Sequence, residues 1–169
     1  MGAADEIVAI VDEQNRVVGS ATRREMRASR ALHRACYILV FNSQGELFLQ
    51  KRTETKDVYP GRYDPTAGGV VLAGEDYDQS ARREIEEEMG VRGVPLHPLF
   101  DLYFEDEAVR LWGRVYSCVY DGPVVLQAEE VASGRFLPVE EILRLAGSQP
   151  FTPDGLRVLR QYLKRGSSA

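Results

Sequence analysis

The chain has 169 residues, with 21 Lys and Arg against 26 Asp and Glu and a formal net charge of −5. That length suits one domain with a sizeable core, and a content of 44% hydrophobic and 28% charged residues excludes a disordered chain. An acidic total without a basic block argues against a nucleic-acid partner, and no apolar run reaches the roughly 20 residues that a membrane-spanning helix needs.

The start, Met1 to Glu6, lacks the basic stretch and apolar core of a signal peptide. Ile7 to Val11 and Val17 to Gly19, separated by a polar stretch, predict a hairpin that leads into a short helix near Arg24 to Ser29. Cys36 to Phe41 is an apolar run suited to a strand covered on both faces. Asn42 to Gly45 predicts a turn, followed by a strand through Leu47 and Leu49 to Lys51 and Arg52. After a loop from Thr53 to Thr66 come Ala67 to Leu72, a helix, and strands near Leu99 to Tyr103, Leu111 to Tyr120 and Gly134 to Leu137. His97, between Leu96 and Pro98, reads as a loop residue. Two helices close the chain, one from Pro138 and one capped by Thr152 with Pro153 at its first position, before a frayed tail from Gly166 to Ala169. The expected fold class is α/β (α+β), a mixed sheet between helical layers with an N-terminal β-hairpin extension. Residues 1–34 form that extension and 35–165 the main domain. Cys36 and Cys118 fall in strand-like apolar surroundings and read as reduced core residues of a cytoplasmic protein.

The net charge has one address. Glu75 to Glu88 holds seven acids and two bases, so 7 − 2 accounts for the whole excess of five acids. Asp76 and Gln79 can form a capping box and Gly90 can end a helix, which predicts Tyr77 to Met89 as its span. Ala81, Ile85 and Met89 then share a dry stripe, while Glu84, Glu87 and Glu88 share another and converge on one patch. Like charges at these spacings cost a helix a few tenths of a kcal/mol per pair. The patch therefore points to a cation, and carboxylates are the hard oxygen ligands that Mg²⁺ or Mn²⁺ prefers.

From Gly69 the spacing runs five residues to Glu75, then seven to Arg83-Glu84-Ile85-Glu86-Glu87-Glu88-Met89-Gly90-Val91. This fills every fixed position of the Nudix box, G-x5-E-x7-R-E-U-x-E-E-x-G-U with U apolar, a match expected by chance about once in ten million. The chain resembles the Nudix hydrolases. The resemblance implies a Nudix fold and hydrolysis of a nucleoside diphosphate linked to another group. It also implies metal ligation by Glu84, Glu87, Glu88 and the Gly69 carbonyl, with Glu75 paired to Arg83 to brace the loop against the helix. Glu87, Glu84 and Arg83 are the expected catalytic residues. For the general base, Glu87 and the loop acids Glu105, Asp106, Glu129 and Glu130 stand as alternatives.

A diphosphate needs cations outside the acidic segment. Arg52 and Lys56 are the expected substrate contacts, Lys51 points to the opposite face, and Tyr59, Tyr63 or Tyr103 could stack on a base. The hairpin, Leu32 to Cys36, Lys56 to Gly61 and the ending Phe151-Thr152-Pro153 also look like isopentenyl diphosphate isomerase and its nearest Nudix relatives. That isomerase uses a Cys and a His-rich metal site. Here Ala67 stands at the cysteine position, Gly69 at a ligand His and Met26 near another, and only His33 can match a ligand. Hydrolysis of a small diphosphate is the preferred expectation, with isomerisation or non-catalytic nucleotide sensing as alternatives. The hairpin could pair with its own sheet or with a second protomer, which leaves a homodimer open.

Overall fold

The structure, a computed structural model, describes residues 2–166. A short 3₁₀ turn, Ala3–Asp5, leads to β1 (Ile7–Val11), β2 (Val17–Thr22), α1 (Arg23–Ser29), β3 (Leu32–Phe41) and β4 (Leu47–Arg52). Then follow β5 (Tyr63–Asp64), β6 (Ala67–Val70), α2 (Tyr77–Met89), β7 (His97–Glu105), β8 (Arg110–Val119) and β9 (Val131–Leu137). Helices α3 (Val139–Ala146) and α4 (Pro153–Gly166) close the described chain. The part of the expected frayed tail after Gly166 lies outside the described residues, and Gly166 itself belongs to α4.

Strand β3 organises the sheet. It runs parallel to β8 over Leu32 to Phe41 and antiparallel to β6 from Ala35 to Ile38. It meets β4 at Phe41↔Leu47 and β1 at Ile10↔His33. The mixed sheet and its helices give the expected fold class. Because successive side chains of a strand point to opposite faces, Ala35, Tyr37 and Leu39 join one core with Ile142 of α3 and Val158 and Leu159 of α4. Cys36, Ile38 and Val40 join the other with Ala81, Ile85 and Met89 of α2. Burying each such large apolar side chain contributes about 1.5–3 kcal/mol. The apolar run of β3 is thus a strand with two dry faces, as its composition suggests.

Helix α2 has the bounds its signals predict. Asp76 accepts from the Gln79 N–H at 2.8 Å, and the Gln79 side chain accepts from the Asp76 N–H at 2.9 Å. Gly90 ends the helix at φ +70°. Two expectations are corrected. His97 opens β7, paired with Ser117, because the β8 ladder reaches further than the short apolar core of β7 suggests. The loop after Arg52 contains β5, whose Tyr63 and Asp64 pair with Lys51 and Gln50. The hairpin is continuous with the sheet through Ile10↔His33 and Val8↔Leu72, and Val8 packs with Met26 and Val70. No helix among the described residues is long and apolar enough to cross a membrane. Cys36 and Cys118 are free and buried.

Candidate active site

The middle of β6, Gly68 and Gly69, and one face of α2 build the centre. Gly68 takes φ +137°, a conformation that favours glycine, and a Cβ there would meet the Cys36 carbonyl oxygen at 2.0 Å. This close approach lets the Gly68 N–H donate to Glu88 Oε2 at 3.2 Å. Gly69 lies so near Glu84 that a Cβ would stand 2.8 Å from its carboxyl. The helix therefore presses two carboxylates against a stretch of backbone stripped of side chains.

Both carboxylates are deeply placed, with Glu88 only 7% exposed and the Glu84 side chain 12% exposed. Burial and then the charge of Glu84 push the Glu88 carboxyl well above its ordinary range. Burial also raises Glu84, against the pull of Arg83. Two buried acids beside one another are unfavourable without a compensating cation. Arg83 meets Glu84 at 2.9 Å and leaves Glu88 without a cationic partner of its own in contact, and the oxygen donor set with the glycine backbone beside it fits a divalent metal of the Mg²⁺ type.

The third carboxylate departs from the expected cluster. Glu87 is half exposed and turns its Oε2 to Arg83 Nη1 at 3.2 Å. Among the described residues no three His, Cys, Asp or Glu side chains gather in ligating geometry. The convergence read from the helical wheel is a pair with Glu87 at its rim, because repulsion drives the exposed member outward and Arg83 offers it a partner.

Arg83 is locked from the loop side. Its Nε and Nη2 donate to the two Glu75 oxygens at 2.7 and 2.9 Å, and Glu75 Oε1 also accepts from the Leu72 N–H. Although burial opposes it, Arg83 and this N–H hold the Glu75 carboxyl below its ordinary value. A bidentate pair of this kind fixes orientation as well as charge. Glu75→Gln should lower kcat/KM about tenfold to a hundredfold, the usual cost of losing a partner that orients a ligand, while costing about 1–2 kcal/mol in stability. Steady-state kinetics and thermal melts check this, and Arg83→Lys, which keeps the charge but lacks the fork, should show a comparable loss.

The glutamates line a cleft of about 630 Å³ whose other wall comes from the N-terminal extension. Arg23, Arg24 and Arg27 of α1 face Glu84, Glu87 and Glu88 across it, together with Lys56, Glu129 and Glu130. Arg23 pairs with Glu6 at 2.9 Å, Arg27 with Asp57 at 3.0 Å, and Lys56 with Glu130. These α1 arginines were missed in the sequence because nothing local links residue 23 to residue 84. The capping box of Thr22 and Glu25, which starts α1, was the available signal that this segment has a fixed orientation.

Arg52 stands elsewhere. Its Nη2 donates to the Val58 carbonyl at 3.0 Å and its Nη1 lies 3.7 Å from Asp64. Arg52 lines an inner recess of about 80 Å³, which shares Arg27, Lys56, Gly68 and Gly69 with the cleft. Lys51 faces away, over the Tyr63 ring. Tyr59 lines the recess and donates to Asp106, Tyr63 packs on Phe151, and Tyr103 packs edgewise on Trp112. Of the loop acids, Glu129 and Glu130 border the cleft, whereas Glu105 binds Arg30 and Asp106 caps the turn to Val109.

The thiol and imidazole beside the site are quiet. Burial and the charge of Glu84 push the Cys36 thiol up to about 12, and its Sγ donates to the Gly69 carbonyl. Burial pushes His33 down to about 4, and its Nδ1 meets the Ala31 carbonyl at 2.9 Å. Neither supplies the reactive thiolate or His-rich site of the isomerase resemblance.

The sequence model of the NUDIX domain matches residues 31–160. An uncharacterized Nudix hydrolase of Yersinia pestis is 48% identical over 165 residues, which cover 98% of this chain and 90% of that protein. The crystal structure of the Deinococcus radiodurans protein DR0079 superposes with a TM-score of 0.79 at 26% identity, covering 92% of this chain and 98% of that one. The NUDIX domain of Shewanella oneidensis NrtR, solved with ADP ribose, shares the fold with a TM-score of 0.63 at 17% identity over 79% of this chain and 86% of that one.

Proposed function

The chain belongs to the Nudix hydrolase family, and on that premise we propose that it is a Mg²⁺-dependent hydrolase of the diphosphate linkage in nucleoside diphosphate derivatives or related small diphosphates. The observation that carries this reading is the buried pair Glu84 and Glu88 against the Gly68-Gly69 backbone, across a cleft from Arg23, Arg27 and Lys56. One wall supplies hard oxygen ligands, and the other supplies guanidinium and ammonium groups held in ion pairs with Glu6, Asp57 and Glu130.

Glu84 and Glu88 would hold the metal, with Glu87 and the Gly69 carbonyl as further ligands; when bound, Mg²⁺ neutralises a diphosphate and acidifies water. Arg23, Arg27 and Lys56 grip the phosphates from the opposite wall and set the linkage in line with the attacking water. Glu87, half exposed at the rim, takes the proton as the water oxygen attacks phosphorus and the anhydride P–O bond breaks. Arg83, committed to Glu75, orients Glu84 and Glu87 and is a positioning residue. Arg52 serves the part of the substrate that lies in the recess.

The test is release of phosphate or nucleoside monophosphate from a panel of nucleoside diphosphate derivatives, with Mg²⁺ and with EDTA. Activity that needs Mg²⁺ and falls at least tenfold in Glu87→Gln is the expected result. No turnover of any compound, or equal rates for wild type and Glu87→Gln, overturns the reading.

A further inference from the structure

Both oxygens of Glu88 meet neutral donors. Oε2 accepts from the Gly68 N–H at 3.2 Å, and Oε1 meets Gln50 Nε2 at 3.4 Å. Gln50 is 4% exposed and lies within β4, opposite Asp64 of β5 on one side and Gly134 of β9 on the other, so its backbone is fixed from both edges. The contact with Glu88 is long, as hydrogen bonds in unliganded sites often are.

The Gln50 amide has one workable orientation. Nε2 carries two hydrogens: one is donated to the Thr66 carbonyl at 2.7 Å, and the other faces Glu88. Turned over, the amide would set its oxygen against two acceptors, which is repulsive. The Thr66 carbonyl is itself held in place, because the Thr66 N–H and hydroxyl donate to Asp64 Oδ1 at 2.9 and 2.7 Å. A chain of contacts therefore runs from Asp64 through Thr66 and Gln50 to the acidic helix. In this orientation Gln50 Oε1 is buried with no partner among the described residues, and an acceptor in that state lowers the stability of the fold. A Met of similar volume would fill the space without the orphan oxygen. A polar head kept here against that cost is explained by what its NH₂ group holds.

Resting on the reading of Glu88 as a metal ligand in a diphosphohydrolase, we propose that Gln50 is a positioning residue that orients the Glu88 carboxylate for the cation. With the Gly68 N–H on one oxygen and the Gln50 amide on the other, the carboxylate is held against rotation, and each oxygen keeps a lone pair for the metal. Both donors are neutral, so they fix the group without cancelling its charge. Glu84 is held differently, by the guanidinium of Arg83 at 2.9 Å. Partners that orient a ligand in this way contribute about tenfold to a hundredfold in metal affinity.

Calorimetric titration of the full chain with Mg²⁺, paired with thermal melts in EDTA, compares wild type, Gln50→Met, Gln50→Asn and Thr66→Val. Gln50→Met keeps the volume and removes the donors, and Gln50→Asn keeps an amide but withdraws it from Glu88 by one methylene. Thr66→Val leaves Gln50 in place and removes one bond of the turn beneath it. In both Gln50 variants the Mg²⁺ dissociation constant should rise about tenfold to a hundredfold. The metal-free melting temperature of Gln50→Met should stay within about 3 °C of wild type, since the lost Thr66 contact is offset by removal of the orphan oxygen. Thr66→Val should melt lower and bind Mg²⁺ as wild type does. The Mg²⁺ concentration that half-saturates hydrolysis should shift in the Gln50 variants by the same factor as the dissociation constant. Mg²⁺ affinity unchanged in both Gln50 variants, or an equal loss of affinity in Thr66→Val, overturns the assignment and leaves the hydrolase reading standing. No Mg²⁺ binding by wild type overturns the assignment together with the metal site. Weakened Mg²⁺ binding in the Gln50 variants, with no turnover of any nucleoside diphosphate derivative by wild type, supports the assignment and defeats the hydrolase reading alone.

Discussion

Glu88→Gln should abolish most activity and make the metal-free protein more stable. Glu88 is buried beside Glu84, and its carboxyl is raised by burial and by that neighbour's charge. A metal ligand of this kind contributes several kcal/mol of charge stabilisation to the reaction, so kcat/KM should fall on the order of 10²–10³-fold. In the absence of metal the same residue is a liability at neutral pH. The fold must either hold a buried charge or take up a proton that the unfolded chain does not need. A neutral amide of the same shape removes that cost, offset in part because its NH₂ group cannot accept from the Gly68 N–H or Gln50 as the carboxylate does. The net gain should be about 1–2 kcal/mol, a rise of roughly 3–6 °C in melting temperature.

The pH dependence has a definite sign. A carboxyl raised in the folded state contributes most to stability below its unfolded value and loses that contribution as pH rises through its folded value. Wild type without metal should therefore lose more stability than Glu88→Gln as pH is raised from about 4.5. Millimolar Mg²⁺ should raise the wild-type melting temperature and leave the variant nearly unmoved. Thermal melts with Mg²⁺ and with EDTA across pH decide the matter. Equal Mg²⁺ shifts in the two proteins would falsify the metal assignment of Glu88.

Gly68→Ala should be the most damaging single methyl group in the molecule. Two independent effects coincide at this position. Its φ of +137° is strained for any L side chain, and the new Cβ would stand 2.0 Å from the Cys36 carbonyl oxygen. That oxygen belongs to the backbone of β3, which is paired with β6 on one side and β8 on the other, so it has little freedom to retreat. A loss above about 3 kcal/mol is expected, together with displacement of the Gly68 N–H from Glu88. Denaturant melts give the first, and loss of the Mg²⁺-dependent stabilisation in whatever folds gives the second. Gly45→Ala is the comparison, since Gly45 also has positive φ, +79°, but no atom within 4 Å of its added Cβ. If the two variants lose equal stability, the close approach of β6 to β3 is not what demands glycine.

The legibility of this protein divides by range along the chain. Helix α2, its capping box, its dry face and the order Gly69, Glu75, Arg83, Glu84, Glu87 and Glu88 were readable because every signal lies within one or two turns of its partner. The Glu75–Arg83 brace was readable only as what the resemblance implies, and the two side chains do pair, at 2.7 Å. Strand β3 was readable from local signals as well, as an apolar run too short for a membrane and too continuous for a one-sided sheet. Helical spacing alone overestimated the gathering of Glu87 with its neighbours, since rotamer and competing partner decide where an exposed side chain points.

What the sequence by itself determined is the acidic helix and its loop, hence the family and the concentration of all the net negative charge in one segment. Only the tertiary structure decided what faces that segment. Arg23 and Arg27 reach the cleft because β1 and β2 are stitched to β3 and β6 by Ile10↔His33 and Val8↔Leu72. Arg52 is drawn to the recess by the pairing of β4 with β5, and Asp154 meets Tyr37 across 117 residues of chain. Helix caps and side-chain stripes are encoded by neighbours a few residues apart. The register that joins distant strands depends on the whole packed sheet, and no local spacing in the sequence carries it.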